Sequence, residues 1–352
     1  MAASSCVGPR IVGIVTCVPK EIFDNIEDAN GFTQDEIKKV VAMAGVRQRR
    51  VADDSICSSD LCAAAADRLL DMLQWERESV DCLIMVTQTP DYFLPSTACV
   101  LHHRLHLSDA CAAFDIGLGC SGYPYGLWLS AMMLASKGFK RVLLLHGETP
   151  SRFSDKDDRS VSLLFGDAGS ATALECNNDN QAREWHFLLH TDGSGYKNMI
   201  IEGGGFRSRF CKDPSKNYVK MNGAHVFNFI ISRVPPLIQA TLDASGLVKD
   251  AVDYYVFHQS NKYILHHVSK KMGLTEKSVP MILKDYGNTG GVSVPLTITA
   301  GNLDRPGYKE LTLLLLGYGV GLSWSSALIY LSPDTLLKNI ELDYLQKEND
   351  DP

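Results

Sequence analysis

Residues 80–88 read VDCLIMVTQ, and residues 252–259 read VDYYVFHQ. Each is an aspartate, an unbroken apolar run and a polar end, and the two start 172 residues apart. An apolar run of this length without alternation predicts a strand covered on both faces. Outward from this pair the correspondence continues. Phe114–Gly122 (FDIGLGCSG) matches in kind Leu283–Gly291 (LKDYGNTGG), with Cys120 and Asn288 offset by 168. Each predicts a strand-like approach into a glycine-rich turn. KRVLLLHGE (140–148) pairs with ELTLLLLGYG (310–319), and GDAGSATALE (166–175) with GLSWSSALIYL (321–331). Each match alone is weak. Their shared order, at an offset near half of the 352 residues, predicts two similar halves.

Both halves alternate buried strands with helices. Residues 61–73 form an alanine-rich amphipathic pattern, and residues 121–137 are apolar nearly all round, which predicts a buried helix. The expected class is α/β, with a mixed sheet covered on both faces in each half. The expected division is 1–176 for the first half, 177–222 for a linking and pocket-capping segment, and 223–352 for the second half. The polar tail 347–352 is expected to fray.

Composition is that of an ordinary globular chain, 45% apolar and 21% charged. The net charge of −7 and the lack of a long basic run argue against nucleic-acid binding. Ten scattered cysteines without a Cys-x-x-Cys pair argue against a disulfide framework or zinc finger. With no signal-peptide layout at the N-terminus, a reducing, cytoplasmic setting is expected. Residues 311–331 are long and apolar enough for a membrane span. Gly317, Gly319 and Gly321 interrupt them, so two buried strands around a glycine turn fit better, and no membrane span is expected.

Cys120 follows a strand-like run and precedes the apolar helix. The positive end of a helix dipole would lower its thiol pKa. Gly119 and Gly122 leave room for a carbonyl beside the sulfur, and the Cys120 N–H could face an oxyanion. The same residues, Gly117-x-Gly119-x-x-Gly122, also match a dinucleotide-binding turn. The acidic partner that turn needs about 20 residues on is only loosely met by Glu148, 26 residues past Gly122. His258 ends an apolar run in the polar cluster His258-Gln259-Ser260-Asn261, which is costly to bury unless used. The duplication puts Asn288 in the place equivalent to Cys120, so Cys120, His258 and Asn288 should converge. Cys, His and Asn suit thioester chemistry, with Cys accepting an acyl group and the others donating to a carbonyl. His102 and His106 have helical spacing but no third ligand nearby, so no metal site is expected.

These and further motifs resemble the β-ketoacyl-acyl-carrier-protein synthase III family of thiolase-like condensing enzymes, from about Arg10 to Leu331. The pieces are GVRQRR (45–50), FLPSTAC (93–99), the Cys120 turn, DKDDRSVSLLFGDAGSATAL (155–174), TDGSG (191–195), MNGAHVFNF (221–229), HQSN (258–261) and YGNTGGVSVP (286–295). The resemblance implies a duplicated α-β-α-β-α five-layer fold, a homodimer, and ping-pong chemistry with no bound cofactor or metal. Cys120 would take an acyl group from a thioester donor, acyl carrier protein or coenzyme A. Malonyl-acyl carrier protein would then lose carbon dioxide, with His258 and Asn288 holding the enolate. Phe93, Leu94, Arg159, Asn261 and Val320 are the expected substrate-binding residues, joined at the pocket by Phe206 and Phe210. Arg47, Arg49, Arg50, Arg207, Arg209 and Lys262 are candidates for carrier docking.

The chain departs from the family pattern at three places. Acetyl-CoA users carry a tryptophan where Lys39 stands and arginines where Met43 and Tyr263 stand, while Arg159 is kept. Losing a stacking face and two cations should weaken coenzyme A binding. Val320 stands within a glycine run, and Gly290-Gly291 follow Asn288 where serine or alanine is commoner. A specialised member, outside housekeeping fatty-acid initiation, is expected. The alternative is acyl transfer to an alcohol or amine through the same cysteine; a binding protein without activity would have no need of Cys120 and His258.

Overall fold

The computed structural model describes residues 2–176 and 182–343. The tail 347–352 and the start of the expected linker lie outside them. Strands and helices are numbered in chain order. The first sheet holds β2 (Pro9–Pro19), β5 (Cys82–Val86), β6 (Ala112–Ile116), β7 (Arg141–Glu148), β8 (Ala168–Cys176) and β15 (Leu336–Leu342), in the order β15-β2-β8-β7-β5-β6. The second holds β1 (Ala2–Cys6), β9 (Trp185–Thr191), β12 (Tyr254–Phe257), β13 (Leu311–Gly319) and β14 (Ser323–Leu331), in the order β1-β9-β14-β13-β12. Two short ribbons pair β3 (Ile22–Asp24) with β4 (Gln48–Arg50), and β10 (Met199–Ile200) with β11 (Lys220–Met221).

The repeat seen in the sequence is a repeat of topology. In the first sheet β8 is antiparallel to β7, which is parallel to β5. In the second, β14 is antiparallel to β13, which is parallel to β12. The apolar stretch 311–331 is the β13–β14 hairpin, and no helix among the described residues is long and apolar enough to cross a membrane.

Helices make the other three layers: α1 (Gln34–Ala44), α2 (Ser58–Leu73), α3 (Thr97–Arg104), α4 (Gly122–Ala135), α5 (Gly223–Ser245), α6 (Lys262–Met272), α7 (Leu283–Tyr286) and α8 (Ser293–Ala300). α4 packs on β7 and β5 from one side and on β13 and β14 from the other, and α8 likewise bridges both sheets. α2 covers the outer face of the first sheet, and α5 that of the second. The result is α-β-α-β-α. The all-round apolar character of α4 follows from this central place, since both its faces meet a sheet.

Three features differ from the sequence reading. The segment expected as a linker contains β9, an inner strand of the second sheet. Each terminus crosses to the opposite half, with β1 on the second sheet and β15 on the first. Residues 283–286, expected as a strand, form the helical turn α7, so among the described residues the second sheet has no counterpart of β6.

α2 lies so close on β8 that a Cβ on Gly169 would stand 2.6 Å from the Leu61 backbone and 2.7 Å from the Cys62 nitrogen. Gly169→Ala should therefore destabilise by about 1–3 kcal/mol through overpacking, seen as a lower denaturant midpoint. An unchanged midpoint would mean that α2 can retreat at no cost.

Candidate active site

Cys120 lies in the turn after β6, with Ser121 as the N-cap of α4. Its side chain is 8% exposed. The backbone N–H groups of Cys120 itself and of Val320 lie close enough to lower the thiol pKa. Val320 lies in the β13–β14 turn. The approach is close enough that a Cβ on Gly319 would stand 2.9 Å from Sγ, and Gly319 has φ +156°. The glycines of the 317–321 run thus bring a backbone donor to the sulfur. The Val320 side chain lies against Gly119.

His258 follows β12 and is buried, its N–H bonded to Leu316 O of β13 at 2.7 Å. Its Nδ1 lies 2.9 Å from Gly290 O and 2.9 Å from Ser293 Oγ. A carbonyl can only accept, so Nδ1 carries the proton toward Gly290, and Nε2 is left without a partner among the described residues. Asn288 is buried beside Phe165 in an isolated bridge. Its Oδ1 accepts Gly290 N–H at 3.0 Å, while Nδ2 donates to Ser260 O at 3.4 Å. Tyr318 of β13 donates to His258 O at 3.0 Å. The structure therefore gathers Cys120, His258 and Asn288 around the end of β13.

Burial dominates the titration. It pushes the Cys120 thiol up to about 12, against the lowering by the two N–H donors, with Glu148 adding to the rise. The thiolate expected from the helix dipole is not the resting form, because desolvation outweighs it. Burial also lowers His258 to about 4, opposed by the bond to Gly290 and assisted by His146. Both groups rest neutral.

The other expected residues are dispersed. Phe93 and Leu94 stand on an exposed loop, where Phe93 packs on Phe206 with ring centroids 5.9 Å apart. Asn261 Oδ1 caps α6 by accepting Ile264 N–H at 2.8 Å. Arg159 pairs with Glu36 of α1 at 2.8 Å. Of the proposed docking cations, Arg49 is buried, bonded to Asn25 and Phe165 O. Arg50 holds Pro19 O and Glu341, and Arg47 holds Asp24 and Glu27. These three fix β4 in place and are withdrawn from docking; Arg207, Arg209 and Lys262 stay at the surface. His146 and Glu148 of β7 are buried beside the site; the sequence offers Glu148 only as a loose acidic partner for a dinucleotide turn and carries no signal for His146.

A duplicated five-layer α-β-α-β-α fold with a cysteine at the head of its central helix defines a thiolase-like condensing enzyme. Residues 114–193 match the model of 3-oxoacyl-[acyl-carrier-protein] synthase III, and residues 242–331 match that of its C-terminal part. The crystal structure of 3-oxoacyl-(acyl-carrier protein) synthase from Burkholderia xenovorans LB400 superposes with a TM-score of 0.92, at 42% identity over 97% of this chain and 99% of that one. The β-ketoacyl-[acyl-carrier-protein] synthase III of Thiobacillus denitrificans is 31% identical over 91% of this chain and 98% of its own length. That of Clostridioides difficile is 29% identical over 91% and 97%. The chain belongs to the 3-oxoacyl-[acyl-carrier-protein] synthase III family and is an acyltransferase.

His258 gives a pH test. Unfolded, it takes a proton near 6.5; folded, only near 4. Between those values the unfolded chain binds more protons, so stability is present above about 6.5 and is lost as pH falls toward about 4. In denaturant titrations, His258→Gln should lose less stability than wild type across that window. Equal losses would show that His258 is not held neutral.

Proposed function

We propose that the protein joins a Cys120-bound acyl group to the malonyl group of malonyl-acyl carrier protein, with loss of carbon dioxide. The observation that carries this is the packing of the Gly319 backbone on the Cys120 sulfur, beside a buried His258 and Asn288 that are tied together through Gly290. In loading, the thiol gives its proton to His258 Nε2 while the sulfur attacks the donor thioester. The Cys120 and Val320 N–H groups hold the oxyanion. The donor C–S bond breaks, and the imidazolium returns the proton to the leaving thiol.

In condensation, the malonyl C–C bond to its carboxylate breaks and carbon dioxide leaves. The electron pair becomes the enolate, whose oxygen takes hydrogen bonds from Asn288 Nδ2 and His258. The enolate carbon attacks the acyl-cysteine carbonyl, the C–S bond breaks, and Cys120 recovers a proton from solvent. His258 must accept in the first half and donate in the second. Ser293 Oγ accepts Gln259 N–H at 3.0 Å, so its own hydrogen can turn toward Nδ1 and support the tautomer with Nε2–H outward. Two donors for an enolate favour condensation over acyl transfer to an alcohol or amine.

The donor favoured is an acyl group on carrier protein. Lys39, Met43 and Tyr263 lie exposed on the packed helices α1 and α6. Tyr263 leans on Phe227 at 5.6 Å, and Arg159 is neutralised by Glu36. No free arginine of this set is left for coenzyme A phosphates. The same departures support a specialised member of the family. A homodimer is supported by the exposed apolar cluster of Tyr92, Phe93, Leu94, Phe206 and Phe210, with Phe210 88% exposed.

Intact-protein mass with a panel of acyl donors should show one added acyl group, absent in Cys120→Ala. Asn288→Ala should keep loading yet lose about 10²–10³-fold in condensation. Loading and condensation falling equally would remove Asn288 from the enolate site; no loading of wild type by any donor would remove Cys120 as nucleophile. Met43→Arg/Tyr263→Arg should raise loading from acyl-CoA on the order of tenfold without change for acyl carrier protein. No gain from coenzyme A would place its binding elsewhere.

A further inference from the structure

Asn288 owes its place to a neighbouring segment outside both sheets, with which it pairs in a parallel bridge at Phe165. Asn288 N–H donates to Leu164 O at 2.9 Å, and Asn288 O accepts Gly166 N–H at 3.1 Å. The direction in which Asn288 Nδ2 points therefore follows the backbone of residues 164–166.

A buried arginine grips that backbone from the far side. Arg49 of β4 is 6% exposed, with Asn25 fully buried beside it. Arg49 Nη1 donates to Phe165 O at 2.9 Å, and Nε donates to Asn25 Oδ1 at 2.8 Å. Asn25 Nδ2 in turn donates to Leu163 O at 2.9 Å and to Val46 O at 3.1 Å. Three successive carbonyls are thus engaged: Leu163 by Asn25, Leu164 by Asn288 and Phe165 by Arg49. A Cβ on Gly287, the residue before Asn288, would stand 3.0 Å from Arg49 Cγ and 2.8 Å from Leu164 O. The arginine stem therefore packs under the Asn288 turn while its head holds the partner segment. Burial brings the guanidinium down to about 10, opposed by Asp167, so it stays charged at neutral pH. Asp167 is itself engaged by Ala52 N–H at 2.7 Å and by the N–H and hydroxyl of Ser151 at 3.0 and 2.6 Å. Burying a cation whose bonds go to neutral oxygens is costly, and packing alone has no need of it. What the guanidinium supplies is two donors at a fixed angle, one for Asn25 and one for Phe165.

We propose that Arg49 is a positioning residue for condensation: by holding Phe165 O it fixes the segment on which Asn288 hangs, and with it the direction of the Asn288 Nδ2 donor toward the enolate. The inference rests on Asn288 as an enolate donor in the reaction proposed above. It gives the buried arginine of GVRQRR a part in one half-reaction only. His258 keeps its own contacts with Leu316 O and Ser293 Oγ, and Cys120 sits in the turn before α4, so loading should not feel Arg49.

The test is a double-mutant cycle read in each half-reaction. Loading of Cys120 is followed by intact mass in a single turnover, with the acyl-carrier protein that loads wild type fastest. Condensation is followed as the loss of that acyl group when malonyl-acyl carrier protein is added. Arg49→Met keeps the stem and removes both donors. It should load at the wild-type rate, condense about 10–10²-fold more slowly and leave KM for malonyl-acyl carrier protein unchanged. Arg49→Met/Asn288→Ala should be no slower than Asn288→Ala alone, because Arg49 acts through Asn288, whereas a role in general integrity would add its own loss. Arg49→Lys, which keeps the charge but cannot reach both oxygens, takes the place of Arg49→Met in the cycle should that variant not fold. Additive losses, an equal fall in loading and condensation, or wild-type condensation in the folded single variant would overturn the proposal. Wild-type condensation in Asn288→Ala, or a wild-type enzyme that no donor loads, would overturn the reaction proposed above, and this inference with it.

Discussion

The hydrogen bond from His258 Nδ1 to Gly290 O, 2.9 Å long, is the constraint on which the rest of the site depends. It holds the ring by Nδ1, and so leaves Nε2 as the nitrogen for chemistry. It exists because Gly290, at φ +58°, turns its carbonyl inward, and because Asn288 Oδ1 takes the Gly290 N–H. That φ favours glycine at the position. The same turn therefore supplies Asn288, orients His258 and meets Glu148. The duplicated sheets bring it opposite the Cys120 turn: β13 takes the His258 N–H at Leu316 and ends beside the Cys120 sulfur.

Burial then sets how the chemistry runs. The thiol is pushed up and the imidazole down by the same loss of water. A resting thiolate–imidazolium pair would need both groups charged where water is excluded, so the neutral pair is the ground state. Charge appears only when a carbonyl is present to receive it at the Cys120 and Val320 N–H groups. The donors are backbone, fixed by the fold before substrate arrives, so little reorganisation accompanies the reaction.

Much of this was legible in the letters. Unbroken apolar runs revealed β5, β12, β7 and β13, since strands covered on both faces have no polar alternation to confuse them. Cys120, His258 and Asn288 stood out because polar residues at the ends of such strands need a use. What was missed has equally physical reasons. Leu283–Tyr286 precedes its glycine turn as Phe114–Ile116 precedes that of Cys120, but its four residues close one helical turn. The exchange of β1 and β15 is a long-range pairing that no local pattern encodes. The arginines of GVRQRR look like surface charge, yet Arg49 is 6% exposed, its guanidinium stacked 4.6 Å above Phe23. His146 was invisible because it packs against Gly291, 145 residues away.

The departures from the family pattern fall into two groups that differ in kind. At the mouth, Lys39, Met43 and Tyr263 remove cations and a stacking face, while Glu36 ties up the arginine that is left. Each acts alone on a solvated surface, where one substitution changes affinity without disturbing the fold. Inside, Gly290 and Gly291 make room for Glu148 and His146, and neither glycine can change alone. A side chain on Gly291 would strike both His146 and Gly119 O, so restoring the commoner residue requires the turn and β7 to move together. The mouth can therefore be retuned residue by residue. The interior is committed, and its commitment lies between the carbonyl that orients His258 and the glycine that precedes Cys120.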